Sequence, residues 1–439
     1  MMRCYQSWGR FPRVYPAAVR PLFWRMEIPP LSQESYPVLP YGQGRSYGDS
    51  CLNEGGILLD TAGLNRFISF DQTQGILRCE AGVTLAEILS LIVPRGWFLP
   101  VTPGTKYVSV GGAIANDIHG KNHHRAGTFG CHVRRFELVR SSGERLLCSP
   151  DSHAELFRAT IGGLGLTGLI TWAEFRLKPI PSPFITMQSI RFADLEEFFE
   201  LSAASDEAFE YTVAWVDGLA SGRSLGRGIF LRGNHTAPAQ HPLPPVPRSR
   251  VHTFPCDAPG FLLNKWSIKT FNTLYYHRQR EKEVQRIVYY DPFFYPLDAL
   301  QQWNRLYGKR GFLQYQCVVP FAERQSIRQL LERIAASGQA SFLAVLKVFG
   351  SHPSPGMLSF PRPGVTLALD FAFQGQKTLQ LLDELDAIVA ASQGAVYPAK
   401  DARMSAQSFQ AYFPQWQAFA AYKDPRFSSS FWRRVTQSR

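Results

Sequence analysis

With 439 residues, 45% of them apolar, the chain is too long for one ordinary domain and has enough apolar side chain to fill two cores. The 47 Lys and Arg against 35 Asp and Glu give a net charge of +12, a balance that favours phosphates or anionic surfaces; no nucleic-acid-binding motif accompanies it, so nucleic acid is not an expected partner. Seven scattered cysteines, never spaced as CxxC, argue against a disulfide framework and a zinc site, and are expected to be reduced.

The opening segment, 1–26, carries Arg3, Arg10, Arg13, Arg20 and Arg25 among aromatics and prolines, without the apolar run of a secretion signal. No stretch approaches the roughly 18 uninterrupted apolar residues of a membrane-crossing helix. The expected location is therefore the cytoplasm, with peripheral contact at the inner face of the plasma membrane left open.

Short strands are expected at Ile57 to Asp60, Arg66 to Phe70, Ile76 to Glu80, Arg135 to Arg140 and Gly168 to Leu177. Between them Thr84 to Ile92 and Asp151 to Thr160 show apolar residues at helical spacing, and Ser109 to Ile118 is a helix of small residues. The proline cluster at Pro179, Pro181 and Pro183 marks the exit from this mixed first domain, 1–180.

The second domain, 181–394, reads as longer strand and helix units. Strands are expected at Glu210 to Val216, Phe312 to Val319, Phe342 to Phe349 and Val365 to Phe373, and helices at Ala322 to Ala336 and Thr378 to Ala391. That pattern predicts an antiparallel sheet covered by helices, and an α+β fold for the whole chain. The proline-rich stretch 235–259 predicts a mobile loop. After it, Phe261 to Arg278 mixes aromatics with Lys265, Lys269, His277 and Arg278, as suits a core helix with a solvated face, a membrane-surface helix or a cover over a lipid-like substrate. The last segment, 395–439, predicts a short strand, one aromatic-rich helix from Ser405 to Tyr422, and a return to the first domain.

Two glycine-rich strings carry the chemistry. In the first, Tyr41, Gly42, Gln43, Gly44, Arg45, Ser46, Tyr47, Gly48 and Asp49 precede a strand, so successive backbone N–H groups can converge on a pyrophosphate; neither a GxGxxG nor a Walker pattern is present. In the second, Gly104 is followed by Ser109, Val110, Gly111 and Gly112, then Asn116, Asp117, Ile118, His119, Lys121, His123 and His124. A helix start nearly bare of side chains lets a flat ligand lie on the backbone with its phosphate at the helix N-terminus. Lys121 would repel a cation and ligand spacing is missing, so no metal is expected. A third run, Thr160 to Gly168, again brings bare backbone to a strand start, and Ile170 follows it toward an adenine.

These three strings, in this order, resemble the FAD-binding domain, of PCMH type, of the vanillyl-alcohol oxidase class of flavoproteins. The chain is similar, within that class, to the family that oxidises polyprenyl-phosphoryl ribose, through GRSYGD at Gly44 to Asp49, GGAIANDIHGKNHH at Gly111 to His124, FLQYQ at Phe312 to Gln316, LKVFG at Leu346 to Gly350 and YPAKDAR at Tyr397 to Arg403. The resemblance runs from Ser7 almost to the end.

It implies a two-domain flavoprotein oxidase fold with FAD in the N-terminal domain and an aldonolactone-oxidase-like C-terminal part. The first glycine loop has no histidine to carry a covalent flavin, so FAD is expected to be noncovalent. Carried over residue by residue, the resemblance puts Tyr47, His119 and Lys121 beside the flavin, Gln314, Gln316, Lys347 and Phe349 on the substrate wall with Trp215, and Tyr397 and Lys400 after them. Where mycobacterial members place asparagine and cysteine, this chain has Thr366 and Ala368; oxidation needs no thiol there, so activity is still expected and pocket shape is what changes.

The expected reaction is oxidation of the 2′ hydroxyl of a polyprenyl-phosphoryl-β-D-ribose to the keto sugar, the first half of an epimerisation to arabinose completed by an NAD-dependent reductase partner. The alternatives are a soluble aldonolactone or alditol oxidase and a flavin-holding assembly subunit of a cell-envelope glycan complex. Such chemistry needs a proton acceptor beside the alcohol. Lys400, Tyr47 and His119 are the candidates, with Lys400 requiring a proton affinity lowered by burial and by the charges of Lys121 and Lys347.

Overall fold

The computed structural model describes residues 5–237, 243–247, 251–339 and 341–436. Cys4, Arg3 and parts of the expected 235–259 loop, 238–242 and 248–250, lie outside the described residues.

The first half holds two main sheets, beside a two-stranded antiparallel pairing of Trp97–Phe98 with Lys178–Pro179. A small parallel one joins Ala18–Pro21, Ile57–Asp60 and Val38–Tyr41, so the first glycine loop leaves from the end of a buried strand. An antiparallel five-stranded one runs, in spatial order, Phe67–Asp71, Ile76–Glu80, Leu169–Arg176, Val133–Val139 and Arg145–Cys148. Against it packs the Leu85–Ile92 helix, which buries Leu85, Ile88, Leu89 and Ile92, the one-sided spacing that a helix needs. Thr84 and Glu87 cap its start reciprocally.

The second half is built on an eight-stranded sheet in the order Glu283–Tyr289, Phe184–Phe192, Gly228–His235, Tyr211–Val216, Ala344–Phe349, Gly364–Ala372, Phe312–Val319 and Ala395–Val396. Every pair in it is antiparallel. Strand alternation splits its faces: Tyr315, Cys317, Leu346, Leu367 and Leu369 enter a core with Phe198 and with Ile327, Leu330, Leu381 and Leu385 of the covering helices Gln325–Ser337 and Gln376–Ala391. The opposite face carries Trp215, Gln314, Gln316, Lys347 and Ala368.

Several elements differ from the sequence expectation. The strands Phe184–Phe192, Gly228–His235 and Glu283–Tyr289 are additional, and they extend the sheet where polar residues obscure the alternation. The single helix expected over Ser405 to Tyr422 is two, Ala406–Tyr412 and Trp416–Tyr422, because Pro414 lacks the N–H that would continue the first.

The C-terminus packs back on the first glycine loop. Phe427 bridges to Val38, and Arg434 of the Ser430–Thr436 helix donates to both oxygens of Asp49 and to Asp401 at 2.9 Å. Both carboxylates are buried, and this one guanidinium is paired with both. Arg434→Met therefore strands two buried charges and is expected to lower unfolding stability by about 3 kcal/mol, read from denaturant midpoints; an unchanged midpoint would show that the pair contributes nothing.

Candidate functional site

The space between the two halves is a cavity of about 1060 Å³, larger than the roughly 300–1,000 Å³ of ordinary small-ligand sites. One end is walled by main chain from both glycine strings. Gly44 sits at φ +61°, a left-handed conformation that turns the loop, and a Cβ on Gly42 would stand 2.5 Å from Ser109 Oγ. Ser109 caps the Val110–Ala115 helix by accepting from the Gly112 N–H at 3.3 Å. Gly165, Gly168 and Ile170 continue the wall, and Arg45 lies over the Trp8 ring with its guanidinium carbon 4.1 Å from the ring centre.

Not all the expected cofactor contacts face this space. Gly42 to Tyr47, Gly104, Ser109, Gly111, Gly112, Asn116, Ile118, His119, Ile170 and Tyr397 line it. Tyr41 turns instead into the core and donates its hydroxyl to the Gln6 carbonyl. Gly48 is pressed against the Asp401 backbone, Asp49 is consumed by Arg434, and Val110 is core. Asp117 is buried behind the wall, accepting from the Gly130 N–H and the Ser359 hydroxyl. These residues shape the glycine segments from behind.

The other end is polar, and sheet register explains why. Pairing of Gln316 with Ala368, of Ala368 with Val345 and of Val345 with Trp215 sets one row across four strands; Gln314 opposite Asp370 starts the row beside it. Trp215 donates its indole N–H to the Phe342 carbonyl, which fixes the ring on the wall. Phe349 and Thr366 do not reach the cavity: Phe349 supports the His119 ring edge-on at 4.7 Å, and Thr366 lies 3.2 Å from the Gln316 amide nitrogen.

His119 is a hub. Its Nδ1 lies 3.2 Å from Lys347 Nζ and its Nε2 lies 3.0 Å from the Gln316 amide nitrogen. The Gln316 amide N–H donates to Nε2, so the one proton of a neutral imidazole sits on Nδ1 and faces Lys347 Nζ, whose amine accepts it when neutral. Burial, then Lys347, holds the ring well below its ordinary proton affinity, so it is neutral. Both ring nitrogens are thereby committed. His123 and His124 are buried alongside, His124 Nε2 within 3.0 Å of the Phe209 carbonyl oxygen.

Three lysines share the cavity. Lys121 donates to the Phe294 carbonyl at 3.1 Å and is lowered by burial to about 8. Lys347 is lowered to about 7 by burial, with Lys121 and Lys400 adding to it. Lys400 is also lowered to about 7, chiefly by burial, and the charge of Asp370 opposes the shift. Among the described residues Lys400 Nζ has no hydrogen bond or ion pair, and it lies 3.8 Å from the centre of the Tyr47 ring.

Burial and nearby Asp370 keep the Tyr47 phenol protonated. Asp370 is the group the sequence reading missed. It accepts from Gln314 at 2.6 Å and from the Tyr307 hydroxyl at 3.4 Å, and burial lifts it to about 7. Its strand alternation with Thr366 and Ala368 was the available signal.

Comparison with known proteins identifies this architecture. Residues 30–149 match the FAD binding domain family. Decaprenylphosphoryl-beta-D-ribose oxidase of Mycolicibacterium smegmatis is 37% identical over 91% of this chain and 89% of its own length. An uncharacterized protein of Streptomyces coelicolor is 34% identical over 80% of this chain and all of its own (100%). A protein of Neurospora crassa with the provisional name D-arabinono-1,4-lactone oxidase is 32% identical over 31% of this chain and 24% of its own length.

The cofactor is FAD, and the bare-backbone slot beside the helix start fits it: flat surface for a ring system, main-chain N–H groups for phosphates. Gly42→Val fills that slot, and the folded variant is expected to purify without the yellow flavin absorbance; full flavin content at native circular dichroism would remove the slot as the seat. The chain is an FAD-dependent oxidoreductase and belongs to the decaprenylphosphoryl-β-D-ribose oxidase family.

Proposed function

We propose that the chain oxidises the 2′ hydroxyl of a polyprenyl-phosphoryl ribose to the ketone, with Lys400 as the proton acceptor. FAD, when bound, supplies the two-electron oxidant for the carbon-bound hydrogen. The carrying observation is Lys400 itself: a buried amine facing the cavity, without a hydrogen-bond partner among the described residues, whose proton affinity lies near 7. A general base works best when its affinity sits near the working pH.

The other two candidates are less suited. Tyr47 holds its proton too firmly, and His119 has both nitrogens engaged and too low an affinity. In this reading Tyr47 backs Lys400 through its ring, and His119 holds Lys347 and Gln316 in position for the sugar hydroxyls. Lys121, Gln314 and Trp215 complete the sugar wall. Ala368 leaves that wall open between Gln316 and Val345 in the four-strand row, and Thr366 acts through Gln316.

The lipid-linked ribose is preferred over a free aldonolactone because similarity to the mycobacterial relative spans 91% of the chain, substrate wall included, against 31% for the lactone-oxidase-named protein. The keto product requires reduction from the other face to give arabinose, which assigns that step to a separate NAD-dependent reductase. With such a reductase and NADH added, arabinose forms; without it, the ketone accumulates. Arabinose formed by the chain alone would contradict this division.

Two outcomes test the site. The flavin is held without a covalent bond, since the first glycine loop offers no histidine, so acid denaturation is expected to release all of it into the supernatant; flavin remaining on the precipitated chain would contradict that. Lys400→Met is expected to retain FAD yet reduce anaerobic flavin bleaching by polyprenyl-phosphoryl ribose about 100-fold or more. Only the neutral amine accepts a proton, so the wild-type rate is expected to rise through about pH 7 and level off above it. A rate that falls through this range, or normal turnover by the methionine variant, would remove Lys400 as the base.

A further inference from the structure

The Lys265–His277 helix is turned the wrong way round for a helix that meets water. Ile268 and Asn272 point inward, and Asn272 donates to Asp217 at 2.9 Å. The face opposite them carries Trp266, 74% exposed, and Leu274, 67% exposed, one above the other by two turns. Phe261, 74% exposed, and Leu262 lie just before the helix start, where Asn264 caps it firmly. A solvated helix would place polar residues there. Large side chains grouped in this way mark an interaction surface rather than chance exposure.

The charges around these residues identify the kind of surface they meet. Lys265, Lys269 and Arg278 flank the apolar face, with Arg280 and Arg286 on the segment that follows, all exposed; Glu281 and Glu283 are the acidic residues among them. Trp and Leu framed by Lys and Arg are the composition of a helix that lies in a lipid interface, its cations on anionic headgroups. No helix of the described residues is long and apolar enough to cross a membrane, so contact would be from one side.

The same helix leads into the site. Tyr275 and Arg278 at its C-terminal end, and Arg280, Val284 and Arg286 beyond it, line the cavity that holds Lys400. Tyr275 stands against Trp215 of the substrate wall, with ring centres 4.6 Å apart.

We propose that Phe261, Trp266 and Leu274, with Lys265 and Lys269, form a docking surface for an anionic lipid bilayer, which sets the cavity mouth against the membrane. Docking there lets a lipid-linked sugar reach the cavity while its chain stays in the bilayer. This goes beyond the proposed reaction: a chain that bound vesicles but oxidised no lipid-linked ribose would leave this surface standing and overturn that reaction.

The test uses the full flavin-loaded chain and sedimentation with vesicles of phosphatidylcholine, alone or with about one third phosphatidylglycerol. The wild type is expected to sediment with the anionic vesicles and to be released at high salt. The double variants Trp266→Ser with Leu274→Ser, and Lys265→Glu with Lys269→Glu, are expected to bind about tenfold more weakly or less. Both variants should keep wild-type turnover of a short-chain, water-soluble substrate analogue, which shows that they fold. Failure of the wild type to bind anionic vesicles at low salt, or equal binding by both variants, would overturn the inference. So would concentration-dependent dimers of the wild type that the Trp266 and Leu274 variant cannot form, since the face would then belong to a second copy.

Discussion

The interaction on which the site depends is the desolvation of cations. Lys121, Lys347 and Lys400 enter one cavity together with His119, and Asp370 is the one carboxylate acting on Lys400. Water withdrawn from an ammonium is not replaced there, so the proton affinity of each falls instead of an ion pair forming. Lys121 finds a carbonyl and Lys347 finds an imidazole. Lys400 lines the cavity without a side-chain hydrogen bond among the described residues, and its proposed role rests on that asymmetry among three otherwise similar side chains.

Placing those lysines requires the two halves of the chain to close on each other, and the closure is made by backbone. Gly48 of the first glycine loop is pressed against the Asp401 backbone, with no room for a side chain. The Tyr47 N–H donates to the Ala399 carbonyl at 2.9 Å, so the residue whose ring supports Lys400 is tied to the same turn that carries Lys400. Arg434 clamps that turn to the first glycine loop through Asp49 and Asp401. The slot for the flavin and the position of Lys400, the base proposed for the alcohol, are therefore tied together by contacts between the first glycine loop and the C-terminal segment.

The glycine strings were legible from sequence because bare backbone at that spacing has few uses besides approach to a flat, phosphorylated ligand. Strands such as Phe312–Val319 and Ile57–Asp60 were legible from alternation or apolar runs. Asp49 was not: it sits inside the first glycine string but serves Arg434, 385 residues away, and no local pattern records such a partner. Thr366 and Phe349 fall on the correct strands and on the cavity-facing side of the sheet, yet Gln316 lies over the first and the His119 ring over the second, which strand alternation alone does not record. Asp370 escaped notice as a lone carboxylate in an apolar strand. The lowered proton affinity of Lys400 was foreseen, and its largest cause is burial.

The most direct measurement of the central claim is a titration of the lysine side chains, with the chain labelled at the lysine ε-carbon and followed by carbon NMR. The account predicts a signal that moves with a midpoint near 7 and disappears from the spectrum of the Lys400→Met variant. A Lys400 signal that stays in its ammonium position until about pH 10, like an exposed lysine, would contradict it.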